Sequence, residues 1–182
     1  MKFCLEDYPF LQMHNLVQHF KAKHVLMLVP TNVSKTDPRM LASLVRFHFH
    51  DYFVQGCDAS VLVNNTATIV SEQQAFPNNN SLRGLDVINK IKTAVESACP
   101  NTVSCADILT LAAQASSVLV YIISFYIYCI FIHRWTVPLG RRDSLTANQT
   151  LANQNLPAPF DALDKLKSAF VAQGLNTTSG ML

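Results

Sequence analysis

The stretch Leu44–Leu62, LVRFHFHDYFVQGCDASVL, decides how the chain is read. Apolar residues lead into it at helical spacing: Met40, Leu41, Leu44, Val45 and Phe47. Asp37 followed by Pro38 marks a start, because proline at the first helical position gives up an N–H that has no partner there. The spacing predicts a helix from Asp37 to about Tyr52. On it Arg46 and His50 lie four residues apart and share a face, with Phe49 beside them. An always-charged guanidinium next to an imidazole favours the neutral ring. Neutral imidazole is the form a general base needs, and the cation can stabilise negative charge developing on an oxygen. The bland alternative is a hydrogen-bonded core histidine and a surface arginine. The pair alone does not choose between them.

The second half of the stretch turns into a loop rich in oxygen. Asp51, Asp58 and Ser60 offer side-chain oxygens, and Val54 and Gly56 offer carbonyls. A hard cation such as calcium takes about six to eight oxygens. The spacing is not that of an EF-hand, and a polar loop that binds nothing has the same composition. His48 and His50 also suggest a zinc or iron pair. On a helix, however, residues two apart point to different sides, and no third ligand cluster appears elsewhere.

Outward from this stretch the pattern stays helical. Leu85, Ile88, Ile91 and Val95 predict a helix that Pro100 ends. Ser104 and Asp107 have the spacing of a capping box, and Ile108, Leu111, Ala112 and Ala115 continue from it. Leu163, Leu166 and Phe170 mark another helix, with Gly174 placed to close it and apolar Leu175 after it. These three residues and Trp135 read as core. The fold class is all-α, with no internal repeat.

Composition bounds the function. The chain has 182 residues, 49% hydrophobic and 14% charged, which suits one domain with a packed core and excludes general disorder. Net charge is +2, so nothing in the charge balance favours nucleic acid. The five cysteines, Cys4, Cys57, Cys99, Cys105 and Cys129, contain no C-x-x-C. Sequons at Asn32, Asn64, Asn79, Asn148 and Asn176 suggest a secreted origin. No signal peptide is visible, since Glu6 and Asp7 interrupt the N-terminus and Val25–Val29 is too short for its apolar core. Val118–Ile132, VLVYIISFYIYCIFI, breaks the style of the rest. It reads as a membrane helix, a buried strand or non-native coding. A spanning helix needs about 20 apolar residues, and the strictly apolar part falls short.

The quoted stretch strongly resembles the distal haem-side motif of the class III secretory plant haem peroxidases. The resemblance resumes in SEQQAFPNNNSLRG (71–84), ESACPNTVSCADIL (96–109), WTVPLGRRDS (135–144) and LPAPF…LKSAF…GLNTT (156–178). It implies an all-helical haem peroxidase fold, of which this chain holds the distal half. It implies two cofactors, haem b and calcium, and as substrates hydrogen peroxide and small phenolic donors. His50 matches the distal acid-base histidine, Arg46 the distal arginine, and Phe49 the residue that shields the haem. In that family the histidine takes a proton from peroxide and returns it to the leaving oxygen. Asn78 matches the asparagine that fixes the tautomer of this histidine. Asp51, Val54, Gly56, Asp58 and Ser60 match the distal calcium ligands, and Glu72 matches the glutamate linking calcium to the pocket. Pro157 matches the proline bordering the aromatic-substrate site. Asp107 and Arg141 match a buried ion pair. The family also implies an extracellular monomer.

Departures from the family pattern shape the expectation for this chain. Residues 1–31 are an atypical N-terminal segment, and 32–182 a partial peroxidase domain. Within it 118–134 is an aberrant apolar insert, the one stretch that could touch a membrane. The motif carrying the proximal haem ligand does not follow Thr178, so no axial ligand is assigned. Tyr52 stands where the family has a cysteine bonded to the position of Cys57. The family reading is therefore a haem peroxidase, with impaired activity expected of this chain. The alternative is an inactive calcium-binding remnant or a mispredicted gene product lacking the proximal ligand.

Overall fold

A computed structural model describes residues 29–124 and 137–175. Among the described residues the secondary structure is helical, with no strand. Residues 29–36 are helical. They are followed by α1 (Arg39–Gln55), α2 (Leu85–Ala98), α3 (Cys105–Ser124), α4 (Gln149–Asn155) and α5 (Leu163–Ala172), with short 3-10 turns at Ser60–Leu62 and Glu72–Gln74.

The central element is α1, packed along α3. It begins one residue later than the proline rule suggests. Pro38 sits in the cap position, and Asp37 Oδ1 accepts the Arg39 N–H at 3.1 Å. Its stripe of Met40, Leu44 and Phe47 meets Ile88 and Ile91 of α2 and Ile108, Leu109 and Ala112 of α3 in the main core. Gly84 makes the approach of α2 possible. Its φ is +104°, and a Cβ there would lie 3.2 Å from Leu44 Cδ2 and 3.3 Å from Met40 Sδ.

Half of the capping box before α3 forms. Ser104 Oγ accepts the Asp107 N–H at 3.1 Å. Asp107 does not reach back to complete it, because its carboxylate is engaged some 30 residues away. It accepts the Gly140 N–H at 2.7 Å and pairs with Arg141 Nη1 at 3.0 Å, both side chains buried. The N–H groups of Cys105 and Ala106, orphaned at the helix start, are taken instead by Asp143 at 3.0 and 2.9 Å. Helix α3 runs to Ser124 and so into the apolar segment. The remainder of that segment, Trp135 and Asn176 lie outside the described residues. No described helix is long and apolar enough to cross a membrane.

Helix α4 is an addition to the sequence reading. Asn148 caps it, its Oδ1 accepting the Leu151 N–H at 2.9 Å, and Ala152 and Leu156 turn into a second cluster with Phe53, Val54, Ala75 and Leu175. The end of α5 forms as expected. Gly174 (φ +74°) donates to Val171 O at 2.9 Å and Leu175 donates to Phe170 O at 2.9 Å, which is a Schellman motif. The core assignment of Leu163 is corrected, since it is 64% exposed. Leu166 and Phe170 are half-buried, and α5 carries no fully buried residue. Only its C-terminal end is held, by Phe170 against Phe49 and Phe53 with ring centroids 5.9 and 5.1 Å apart.

Candidate functional site

Helix α1 brings Arg46, His48, Phe49, His50, Asp51 and Val54 onto one element, and the loops after it fold back over its C-terminal half. His50 is buried, and its Nδ1 lies 2.5 Å from Asn78 Oδ1. Asn78 is itself buried. Its amide donates to the backbone carbonyl of Glu72 at 2.7 Å, which leaves Oδ1 as the atom facing the imidazole. An acceptor there requires the proton on His50 Nδ1, so the lone pair sits on Nε2. No hydrogen bond to Nε2 forms among the described residues.

The ring is held neutral. Burial is the larger cause and lowers the His50 pKa to about 4, with the Arg46 charge adding in the same direction and the Asn78 bond opposing. The sequence argument from the arginine alone therefore had the right sign and the lesser cause. Arg46 is exposed, and its guanidinium is held by backbone and hydroxyl oxygens. Nη1 donates to Ser81 O at 2.7 Å, and Nη2 donates to Ser81 Oγ at 2.9 Å and Pro77 O at 3.3 Å. The role of Ser81 and the Pro77 carbonyl was not read from sequence. A hydroxyl and carbonyls some 30 residues downstream carry no local signal. Phe49 packs edge-on to His50, centroids 5.7 Å apart. His48, two residues away, points elsewhere and is a different kind of histidine. Burial and the Arg141 charge lower its pKa to about 4. Pro157 is half-buried between α4 and α5.

The oxygen-rich loop closes tightly behind this pair. Asp58 N–H donates to Gly56 O at 3.0 Å, Ala59 adopts the left-handed conformation, and Ala59 N–H donates to Asp51 Oδ2 at 3.1 Å. Gly56 O thus already takes part in the turn, and Val54 O belongs to the last turn of α1, where carbonyls lack helical partners. Asp51 Oδ1, Ser60 Oγ and Glu72 Oε2 are buried and take no hydrogen bond among the described residues. Burial pushes the Asp51 carboxyl well above the usual carboxylate range, with neighbouring Asp58 adding to it. Burial also raises Glu72, against the Asn148 N–H that donates to its Oε1 at 2.9 Å. Among the described residues no three His, Cys, Asp or Glu side chains cluster as a metal site. Asp51, Ser60 and Glu72 instead offer the type of oxygen donors that a hard cation takes.

Tyr52 reaches the end of α5. Its hydroxyl donates to the Gln173 carbonyl at 2.5 Å. Cys57 is disulfide-bonded, and Cys105 is a free thiol.

The peroxidase family model matches residues 28–179 of this chain. The chain belongs to the peroxidase family. One peroxidase of Armoracia rusticana is 54% identical over 151 residues, covering 83% of this chain and 40% of that protein. Peroxidase 23 of Arabidopsis thaliana is 52% identical over the same length, with the same coverage. A second Armoracia rusticana relative, Peroxidase C1B, is 45% identical over 185 residues, covering 98% of this chain and 50% of that protein. The chain thus spans about half or less of the length of these relatives.

The family implies a haem. For this peroxidase chain the fit is one-sided among the described residues. A base with its lone pair unengaged, a cation and an aromatic ring meet on α1. His48 and His50 are the described histidines. His48 is half-buried near the Arg141 charge and His50 is tied to Asn78, so among the described residues these histidines offer the haem a base rather than a holding ligand.

Proposed function

We propose that this chain carries the proton-handling side of a haem peroxidase centre and that the whole protein oxidises small phenolic donors with hydrogen peroxide. The observation behind this reading is the relay from Glu72 O through the Asn78 amide to His50, which leaves a neutral imidazole with its lone pair on Nε2. A bound haem supplies the redox-active iron. The chain's own part is acid-base chemistry. His50 Nε2 accepts a proton from peroxide and returns it to the departing oxygen. Arg46, four residues earlier, offsets negative charge on that oxygen. Phe49 walls the imidazole from the side, and Pro157 borders the phenol by its match to the family motif. Calcium bound at Asp51, Val54, Gly56, Asp58 and Ser60 would brace the loop, with Glu72 joining it to the relay. We further place the protein outside the cell, as a monomer.

A second reading is favoured by the orphaned oxygens of Asp51, Ser60 and Glu72, a cation-binding protein without turnover. One titration separates the two. Haem is added to the calcium-loaded chain while the Soret band is followed, then peroxide and a phenol are supplied. The enzyme reading expects a saturable shift at one haem per chain and phenol oxidation that His50→Ala lowers by at least about a hundredfold. Non-saturating uptake without turnover leaves the cation reading, which calorimetry with calcium then examines.

A further inference from the structure

Arg46 is the charged member of the proposed proton-handling set, and the oxygens that hold it come from a single turn. Of the five N–H donors of a guanidinium, three are engaged here: one on Nη1 with Ser81 O, and both on Nη2, with Ser81 Oγ and Pro77 O. These acceptors are all neutral, and Arg46 forms no ion pair among the described residues. Its charge is therefore left uncompensated, with Nε–H and the second Nη1–H open to another oxygen. Ser81 is the centre of the arrangement. Its hydroxyl accepts from Nη2 at 2.9 Å and donates onward to Pro77 O at 2.6 Å, so one side chain aligns two of the acceptors. The turn is itself fixed. The Ser81 and Leu82 N–H groups donate to Asn78 O at 3.0 and 2.9 Å, and Asn80 takes the left-handed conformation, φ +56°. Beyond it, Arg83 pairs with Asp37 ahead of α1 at 2.6 Å. The same turn carries Asn78, which holds His50.

We propose that Ser81 is the positioning residue of Arg46, its hydroxyl fixing the plane of the guanidinium while leaving the charge free to act. The inference deepens the peroxidase reading above and rests on it. An arginine on an exposed helix face has a long flexible stem, and its head samples many positions unless acceptors confine it. Acceptors at fixed places suit the planar fork of the guanidinium and hold it in one orientation. A carboxylate would also hold it, but would cancel the charge that the departing oxygen needs. A hydroxyl and two carbonyls hold the group and spare the charge. Placement matters because a shift of about 1 Å is enough to cost a catalytic group much of its effect.

The test uses the full chain without haem, labelled with nitrogen-15 arginine and histidine. Rotation about the Nε–Cζ bond exchanges Nη1 with Nη2, so its rate reports how firmly the guanidinium is held. The Arg46 signals are assigned by their loss in Arg46→Lys. Two separate Nη signals are expected in the unaltered chain. Ser81→Ala should speed the exchange about tenfold, the effect of one hydrogen bond to a charged group, and Ser81→Thr should restore the slow rate. His50 should stay Nδ1–H in both variants, because the Glu72 carbonyl still orients Asn78. The proposal is overturned if Arg46 already gives one averaged Nη signal in the unaltered chain, or if Ser81→Ala leaves the rate unchanged. It also fails if Ser81→Thr exchanges as fast as Ser81→Ala. A mixture of His50 tautomers in Ser81→Ala overturns it as well, since the hydroxyl then holds the turn and not the arginine. In the haem titration, Ser81→Ala should slow the peroxide step about tenfold and leave the phenol step alone, and an unchanged peroxide step refutes the catalytic consequence. The exchange rates are read without haem, so failure of the peroxidase titration leaves them decisive and the two readings fall separately.

Discussion

Asn78 grips His50 and Glu72 at once, accepting from the imidazole at 2.5 Å and donating to the Glu72 carbonyl at 2.7 Å. The second bond decides which way the amide faces, and so decides the histidine tautomer. In Asn78→Ala both bonds are gone. Nitrogen-15 NMR of the imidazole is expected to change from a pure Nδ1–H form to a mixture with Nε2–H. Stability is expected to fall by about 1–3 kcal/mol, since the buried Glu72 carbonyl loses its donor. A ring that stays wholly Nδ1–H in the variant removes the tautomer argument.

Acid should weaken the fold through His48 and His50. Both are near pKa 4 in the folded chain against 6.5 ordinarily. Between these values the unfolded chain binds more protons. Their contribution is thus complete above about pH 6.5 and is lost as pH falls to about 4, on the order of 3 kcal/mol for each. Urea midpoints measured down this range should fall, and His50→Gln should fall less steeply. Equal slopes for both proteins would refute the assignment for His50.

The buried carboxyls run the other way. Asp51 and Glu72 are raised, so the folded chain holds their protons to higher pH than the unfolded one does, and ionising them as pH rises costs stability. A cation among their orphaned oxygens reverses that. Calcium is expected to raise the melting temperature against a chelator control and to release protons on binding in weakly buffered calorimetry. At a hundredfold excess over Kd the gain is about 2.7 kcal/mol. Asp51→Asn should abolish both effects, and their survival would dismiss the loop as the site.

How much of this was legible beforehand differs by element. The helix from Arg39, the close at Gly174 and the four-residue spacing of Arg46 and His50 are local facts, written in periodicity and punctuation. The resemblance supplied Asn78 as the partner of His50 and Asp107 as the partner of Arg141, contacts 28 and 34 residues apart that no spacing rule reaches. Helix α4 went unread because its seven residues, QTLANQN, are mostly polar and its sole signal is the Asn148 cap. Leu163 was misplaced because an apolar stripe tells which side of a helix seeks cover, not whether cover is present. The oxygens around Arg46 were missed because they are largely backbone.

Asp107 and Arg141 form an ion pair 3.0 Å apart, with side chains 6% and 8% exposed. Asp107→Ala strands the guanidinium and unhooks the Gly140 N–H, and should cost about 3–5 kcal/mol in chemical denaturation. Replacing both partners, Asp107→Leu with Arg141→Met, should recover much of the loss, because no uncompensated charge remains. A double variant as weak as the single one would show that the backbone bonds, not the charge, dominate.

The hydroxyl of Tyr52 ties α1 to Gln173 at the end of α5. Tyr52→Phe keeps the ring beside Phe53 and removes that single bond, so about 1 kcal/mol of stability should be lost. Circular dichroism should be unchanged. No shift in the urea midpoint would mean that water replaces the tyrosine at the Gln173 carbonyl.

Because α5 is secured at Phe170, Gln173 and Leu175 while Leu163 stands in solvent, its two ends belong to different levels of the folded ensemble. The first turn can unwind without disturbing a packed side chain, whereas the last cannot open without parting Phe170 from Phe49 and Phe53. Amide exchange should therefore run as a gradient along ten residues, quick at the start and slow at the close. The helix behaves as a leaf hinged at its carboxyl end, and the aromatic wall beside His50 is the post from which it hangs.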